Sequence, residues 1–214
     1  MGPPGVGKGT QAARLKALWD VPHVSTGDIL RASVQEGSSL GKKVRGYVEQ
    51  GQLVPDDLVG DVIAERLGRR DASKGFVLDG FPRTVEQVAI LDGVLARAGI
   101  GLDRVVMLTA PETEIVRRLS GRRTCPRCGA VYHLESRPPA SAGVCDACGG
   151  ALAQRPDDTE QVIRERLRVY TAQTLPVAEA YRAKGILVEI DGFGDVDSVG
   201  TRLAQIVERD RNRV

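Results

Sequence analysis

Residues 2–10 read GPPGVGKGT, and residues 76–80 read FVLDG. In the first stretch, the glycines let backbone N–H groups turn toward phosphate oxygens, and Lys8 can reach the outer phosphates. In the second, a short apolar run ends in Asp79, where a phosphate-loop enzyme holds the waters of Mg²⁺. The two stretches favour a phosphate-binding α/β fold over a flexible glycine-rich terminus. The generic loop pattern has Ser or Thr directly after the lysine, whereas here Gly9 intervenes and Thr10 follows.

Beyond the loop, short apolar runs alternate with segments of helical period, which is typical of a parallel sheet covered by helices. One helix is predicted after Thr84, where Gln87 completes a capping box, and another after Thr159. Strands are predicted at 23–25, 76–79, 104–108 and 186–190.

Two segments interrupt this rhythm. Residues 26–54 have helical patterns without a strand between them, and residues 121–158 are rich in Gly, Pro and Cys. We therefore expect one core domain with two excursions from it. The core consists of residues 1–25, 55–120 and 159–214.

The composition is that of a globular protein, with 42% hydrophobic and 27% charged residues in a chain of 214. A formal net charge of +2 predicts no binding to nucleic acid or to an anionic membrane. No apolar run approaches the ~20 residues of a membrane span, and no signal peptide precedes the glycine loop. These features predict a cytoplasmic, reducing compartment.

Four cysteines form two CxxC pairs, which are Cys125 with Cys128 and Cys145 with Cys148. Four thiolates at this spacing can close a tetrahedral structural zinc site. Free buried thiols or a disulfide are the alternatives. A zinc ribbon can also bind nucleic acid, but here only Tyr132 offers a stacking ring among the arginines beside the cysteines.

Five motifs occur in order along the chain: GPPGVGKGT, STGDILR, GFVLDGFPRT, SGRRTCPRCGAVYH and QRPDD. Together they resemble the adenylate kinases whose lid carries a zinc ribbon, and the resemblance spans the chain from Gly2 onward. It implies a P-loop fold, an AMP-binding flap at 26–54 and a zinc-binding lid at 121–158. The implied activity is reversible transfer of a phosphoryl group from ATP to AMP, with Mg²⁺, by a cytoplasmic monomer.

The resemblance also implies roles for individual residues. Catalysis would depend on Lys8, Arg83, Arg122, Arg155 and Arg166. ATP would contact Gly5, Val6, Gly7, Lys8, Gly9, Thr10, Arg118, Arg122, Val131, Tyr132 and Gly194. AMP would contact Thr26, Arg31, Gln52, Leu53, Val54, Gly80, Phe81, Pro82, Arg83, Gln87, Arg155 and Arg166. Asp79 would hold magnesium through waters.

Several alternatives remain open at this point. A kinase acting on UMP, CMP or GMP shares these motifs, although Thr26 and Gln87 favour adenine. A GTPase switch is disfavoured because the sequence has no NKxD guanine reader. Arg31 or Arg166 can be ordinary solvated charges on a helix, Gln87 can serve only its helix cap, and His23 and His133 are expected to be structural.

The phosphate loop raises one further expectation. In the family that the chain resembles, a central parallel strand delivers this loop, between strands matching 76–79 and 104–108. Only Met1 precedes Gly2 here. Burying such a strand on both faces contributes roughly 5–15 kcal/mol, as much as the whole stability of a typical domain. We therefore expect that Met1 is a misplaced start, which omits about five apolar residues. Otherwise the chain would leave a slot in the sheet or fill it by some rearrangement.

Overall fold

A computed structural model of the chain describes the backbone of residues 1–211 and the side chains of residues 1–206. The end of the predicted core domain, 212–214, lies outside the described residues. The strands are β1 (His23–Ser25), β2 (Val77–Asp79), β3 (Val105–Thr109), β4 (Arg122–Thr124), β5 (Val131–His133) and β6 (Leu187–Asp191). The helices are α1 (Lys8–Trp19), α2 (Thr26–Gln35), α3 (Ser39–Gln50), α4 (Asp56–Leu67), α5 (Val85–Ala98), α6 (Glu112–Gly121), α7 (Glu160–Val169), α8 (Val177–Ala183) and α9 (Val196–Arg211).

The core is built on two parallel pairs of strands. β1 lies beside β2, with Val24 opposite Leu78, and β3 lies beside β6, with Met107 opposite Glu189. Helices connect the strands, as parallel pairing requires. All four predicted strands are confirmed, and their boundaries are shifted by at most one residue. The α/β fold class with parallel strands and flanking helices is confirmed as well.

The two parallel pairs are not joined to each other in the part of the chain that the structure describes. β2 and β3 belong to separate two-stranded sheets. Met1 lies against the free side of β3, where its amino group donates to the carbonyl of Val106. The N–H of Leu108 donates to the Met1 carbonyl at 3.0 Å. The two pairs therefore flank a slot in the described part of the chain, and the hypothesis of a misplaced start stays a prediction.

Each parallel pair has its own apolar cluster. Val24 of β1 packs in a cluster that includes Leu30, Ile63 and Leu91, contributed by α2, α4 and α5. The second cluster joins β3 and β6 to α9 and to Val6 of the phosphate loop. Burial of these side chains stabilises two half-cores on either side of the slot. No helix in residues 1–211 combines the length and the apolar composition needed to cross a membrane.

The two predicted excursions have distinct local structures. Residues 26–54 contain α2 and α3, and residues 121–158 contain the antiparallel strands β4 and β5. Thr124 of β4 also pairs with Ala153, which closes the 121–158 segment at its neck. The division into a core, a flap and a lid that move separately stays a prediction.

The helices α2 and α3 touch through a glycine. A Cβ atom built on Gly41 would lie 1.9 Å from the carbonyl oxygen of Ser33. No real Cβ approaches a backbone oxygen so closely, so the two helices can keep this contact only with glycine. Gly46 lies on the same helix, but a Cβ built there meets nothing within 4 Å.

We predict opposite effects of alanine at these two positions. Gly41→Ala should lower the free energy of unfolding by about 1–3 kcal/mol, because the helices must move apart. Gly46→Ala should raise it by about 0.5–1 kcal/mol, because alanine favours the helix and meets no neighbour. Urea unfolding of both variants checks this, and equal effects at the two glycines would contradict the packing described.

Candidate active site

The phosphate loop ends at the N-terminus of α1. Gly5 and Gly7 have φ angles of 79° and 103°, which side chains rarely adopt, and Gly7 caps the helix. A Cβ on Gly5 would also lie 2.7 Å from Leu119 Cγ. Buried Val6 anchors the loop in the second apolar cluster. Because the first turn of α1 has no acidic residue, its free N–H groups and dipole can face an anion.

Lys8 lies folded back onto its own loop. Its Nζ donates to the carbonyls of Gly2 and Pro3, both at 2.8 Å. Burial lowers the pKa of Lys8 to about 8, although the negative charge of Asp79 acts in the opposite direction. A buried ammonium that has only neutral carbonyls as partners is poorly compensated. A phosphate oxygen at this position would therefore be a stronger partner than either carbonyl.

Asp79 ends β2 beside the phosphate loop, where its Oδ2 would lie 3.5 Å from a Cβ on Gly9. His23 Nε2 lies 3.4 Å from the same oxygen. Burial would raise the pKa of Asp79, but the His23 contact and the charge of Lys8 outweigh it and lower the pKa to about 2. The carboxylate is thus ionised at neutral pH, and it fits the role of holding Mg²⁺ waters next to bound phosphates.

Three of the predicted arginines converge on two neighbouring carboxylates. Arg122 donates to both oxygens of Asp158, at 2.7 and 2.6 Å. Arg166 lies 3.2 Å from Asp158 and 3.0 Å from Asp157, and Arg31 lies 3.7 Å from Asp157. Asp158 is fully buried. The arrangement holds guanidinium groups from the flap, the lid and α7 at one place.

Asp157 and Asp158 have no role predicted from the sequence. Both lie in a short 3₁₀ turn, Pro156–Asp158, directly before α7. They form the end of the QRPDD motif, so two adjacent acids beside a predicted catalytic arginine were the available signal. Burial would raise the pKa of Asp157, but Arg166 and Arg31 outweigh it and lower the pKa.

Arg83 and Arg155 have mainly neutral partners. Arg83 Nε donates to the carbonyl of Gly80 at 2.7 Å, and Arg155 Nε donates to the hydroxyl of Thr124 at 3.1 Å. Burial, followed by repulsion from neighbouring arginines, lowers the pKa of each to about 10. Both stay charged at neutral pH. The cleft therefore contains positive charge that its carboxylates do not match.

A small cleft between the flap and the end of β2 brings together most residues of the predicted AMP site. Phe81 and Pro82 line the larger neighbouring cavity instead, and Arg155 approaches the flap through Asp28 at 3.9 Å. The predicted residues that line the small cleft are Thr26, Arg31, Gln52, Leu53, Val54, Gly80, Arg83, Gln87 and Arg166.

Gln87 serves the start of α5. The Thr84 hydroxyl accepts from the Gln87 N–H at 3.1 Å, as the predicted capping box requires. The Gln87 side chain accepts from the N–H of Arg83 at 2.7 Å, one residue earlier than the box predicts. Its Nε2 donates to Asp56 at 2.7 Å. A hydrogen bond from Gln87 Nε2 to a nucleotide base would therefore compete with its bond to Asp56.

The predicted ATP residues outside the loop lie in two places. Arg118 donates to the carbonyls of Val6 and Gly192, at 3.3 and 3.2 Å, and so joins the phosphate loop to the segment after β6. Gly194 lies in that segment with a φ of 115°. Val131 is partly exposed on the lid, whereas Tyr132 is buried inside it.

The lid contains a cysteine cluster suited to a metal ion. The four sulfurs of Cys125, Cys128, Cys145 and Cys148 all lie within 4.8 Å of one another. Four sulfurs at about 2.3 Å from one tetrahedral ion are separated by about 3.8 Å, so the residues fit zinc. Burial would raise the pKa of Cys125, but backbone N–H groups of Cys128 and Arg127 outweigh it and lower the pKa.

Tyr132 completes this cluster. Its hydroxyl lies 3.5 Å from Cys145 Sγ and accepts from the N–H of Asp146 at 2.9 Å. The contact between the Tyr132 hydroxyl and Cys145 Sγ lowers the pKa of Cys145 to about 6, because it outweighs the opposing effect of burial. The ring is thus a structural part of the lid, and its predicted contact with ATP stays a prediction.

Comparison with known proteins agrees with this geometry. The family model of adenylate kinases matches residues 1–186. The adenylate kinase of Archaeoglobus fulgidus is 48% identical over 209 residues, which cover 98% of this chain and 96% of that protein. The adenylate kinase of Geobacter sp. strain M21 is 51% identical over 207 residues, covering 96% and 97%. The chain therefore belongs to the adenylate kinase family, and it is an ATP:AMP phosphotransferase.

Proposed function

We propose that AMP binds in the cleft between the flap and β2, that ATP binds at the phosphate loop, and that the arginines between them neutralise the transferred phosphoryl group. The observation that carries this proposal is the crowding of partly buried guanidinium groups around three carboxylates, those of Asp28, Asp157 and Asp158. Phosphoryl transfer needs alignment and charge neutralisation more than covalent chemistry. An attacking AMP phosphate is already ionised at neutral pH, so no catalytic base is needed.

On the AMP side, Arg31, Arg83 and Arg166 hold the phosphate of the acceptor. All three line the same cleft, and Arg83 donates through Nε to Gly80, which leaves the rest of its guanidinium group for phosphate oxygens. Planar guanidinium groups bind two phosphate oxygens at once, which fixes the orientation of the acceptor. Thr26, Gln87 and the backbone of 52–54 surround the base, and Phe81 and Pro82 support this wall.

On the ATP side, the loop from Gly5 to Thr10 holds the phosphates through backbone N–H groups. Lys8 exchanges its two loop carbonyls for phosphate oxygens. Arg118 steadies the loop, and Gly194 lies near the adenine. When the lid closes, Arg122, Val131 and the backbone of Tyr132 approach the nucleotide. Mg²⁺ bound with ATP, on waters held by Asp79, would neutralise charge that develops on the phosphates.

Closure of the flap and the lid excludes water, which would otherwise compete with AMP as the acceptor. Arg155 lies at the neck of the lid, and it reaches the transferring group only once lid and flap approach each other. Asp157 and Asp158 keep Arg122 and Arg166 oriented before the nucleotides arrive. The arginines are thus held in place by carboxylates that do not themselves react.

The lid is proposed to hold one structural Zn²⁺ on its four cysteines. A segment with few apolar residues cannot form a sufficient core, so a metal lets it move as a rigid body. Thiolate ligands must stay reduced, which suits a cytoplasmic location. The enzyme is proposed to act as a monomer, and the small net charge favours no nucleic acid partner.

The first test compares acceptors. With MgATP as donor, we expect ADP formation with AMP and a kcat/KM at least about 100-fold lower with GMP, CMP or UMP, because a few buried hydrogen bonds read the base. A coupled assay of ADP measures all four acceptors. A preference for UMP, CMP or GMP would show that the chain is a kinase for that nucleotide instead.

A second prediction concerns two arginines that differ in their partners. Arg83→Ala and Arg122→Ala should each lower kcat at least about 100-fold, because each removes charge that stabilises the transition state. Only Arg122→Ala should also lower the free energy of unfolding, by about 3 kcal/mol, because it leaves Asp158 buried without its bidentate partner. Steady-state kinetics and urea unfolding measure both effects.

Arg97→Ala, on the exposed surface of α5, is the control and should change neither quantity. Adding Asp158→Asn to Arg122→Ala should restore most of the lost stability and none of the lost turnover. If kcat is unchanged in either single variant, that arginine does not act on the transferred group.

The third prediction concerns the lid metal. Protein purified without added zinc should contain about one zinc per chain, and Cys128→Ser should lose it, since a four-thiolate site closes only with all its ligands. Proteolysis within 121–158 should then become faster, while the melting of the core changes little. Ser141→Ala, an exposed serine of the same lid, should retain the metal. Less than a tenth of an equivalent in the unaltered protein would refute the site.

A further inference from the structure

The side-chain amide of Gln87 is held at both of its ends. Its oxygen accepts from the backbone N–H of Arg83, and its nitrogen Nε2 donates to Oδ1 of Asp56, both at 2.7 Å. Gln87 is 2% exposed, and it lines the small cleft between the flap and β2. A buried amide with all its anchors satisfied is rigid, so the hydrogen-bonding group that it offers to a ligand in the cleft is fixed as well.

The two partners of the Gln87 amide allow only one orientation of it. A backbone N–H can only donate a hydrogen bond, and an ionised carboxylate can only accept one. Turning the amide over would place its NH₂ group against the N–H of Arg83 and its oxygen against the carboxylate of Asp56. Both contacts would then join groups of the same kind, and buried polar groups without partners are costly. The amide nitrogen is therefore kept on the Asp56 side.

Asp56 is itself held in place behind Gln87. Its second oxygen, Oδ2, accepts from the hydroxyl of Thr84 at 3.0 Å, and that hydroxyl accepts from the backbone N–H of Gln87 at 3.1 Å. Asp56 is the first residue of α4, where the helix dipole favours a negative charge. It is not among the residues that line the small cleft in the described part of the chain. Asp56 thus influences a nucleotide in this cleft through Gln87.

The group that this amide offers to a base is its oxygen, because the nitrogen is bonded to Asp56. Beyond the bond from Arg83, an amide oxygen can accept a second hydrogen bond. The 6-amino group of adenine can donate it, whereas the carbonyl at C6 of hypoxanthine or guanine only accepts. A fixed Gln87 oxygen therefore bonds to a 6-aminopurine and opposes a 6-oxopurine. An amide that was free to turn over would bond to either base.

We propose that Asp56 is a positioning residue that makes the cleft selective for 6-aminopurine nucleotides over 6-oxopurine nucleotides. It does so by holding the Gln87 amide in the orientation that adenine matches, and this inference rests on the proposed binding of the AMP base beside Gln87. A buried site discriminates strongly when the wrong ligand leaves its polar groups unpaired.

The first measurement uses the unaltered protein with three acceptors of nearly equal size, which differ chiefly at C6 of the base. AMP has an amino group there, purine riboside 5′-monophosphate a hydrogen, and inosine monophosphate (IMP) a carbonyl. With MgATP as donor, kcat/KM should fall in that order. IMP should be at least about 10-fold worse than purine riboside monophosphate, because two opposed acceptors cost more than one missing bond. If IMP equals or exceeds purine riboside monophosphate, the amide turns over freely and the inference is overturned.

The second measurement compares Asp56→Asn with Asp57→Asn, which alters an exposed acid at the next position. An asparagine can donate as well as accept, so it removes the carboxylate that forbids the turned amide. In Asp56→Asn, the ratio of kcat/KM for AMP to that for IMP should fall at least about 10-fold, mainly through a rise with IMP. In Asp57→Asn this ratio should stay within about twofold of its original value. An equal ratio in the two variants would overturn the role of Asp56.

Gln87→Met separates this inference from the proposed function. If Gln87 bonds to the base, Gln87→Met should lower kcat/KM for AMP and remove the preference for AMP over purine riboside monophosphate. A preference that survives in Gln87→Met would refute the contact between Gln87 and the base, on which the inference rests. A preference lost in Gln87→Met, with the AMP to IMP ratio unchanged in Asp56→Asn, would overturn the role of Asp56 alone. If Asp56→Asn does not fold, the order of the three acceptors in the unaltered protein decides.

Discussion

Uncompensated positive charge in the cleft is the constraint on which the arrangement of the active site depends. Arg31, Arg122 and Arg166 pair with three carboxylates, those of Asp28, Asp157 and Asp158, while Arg83 and Arg155 have mostly neutral partners. Buried like charges repel one another, and solvent screens them little. The cleft is therefore stabilised by anions of the right size and number. In the proposed complex, nucleotide phosphates would supply that charge, so their binding would be coupled to the approach of the flap and the lid.

The two buried carboxylates also connect the lid to the core. Arg122 lies at the first residue of the lid hairpin, and Asp158 lies where the chain leaves the lid, 36 residues later. The pairing of Thr124 with Ala153 closes the same neck. The two ends of the 121–158 segment are thereby held together beside Arg122 and Arg166.

The sequence predicted much of this, because the strands and the phosphate loop are local patterns of apolar and glycine residues. It assigned no role to Asp157 and Asp158, since the partners of a carboxylate are decided by contacts between residues far apart in the chain. For Tyr132, by contrast, the sequence predicted a role that its side chain does not show. Its assignment to the ATP side came from its place in a motif, whereas its hydroxyl lies beside Cys145 in the core of the lid. A motif gives the position of a residue but not the direction of its side chain.

The slot between β2 and β3 matters for chemistry as well as for stability, because the active site spans it. Asp79 ends β2 on one side, whereas the phosphate loop is tied through Met1 to β3 on the other. Lys8 and Asp79 interact across this boundary, and each shifts the pKa of the other. The distance between the carboxylate and the loop is therefore set by the relative position of two half-sheets.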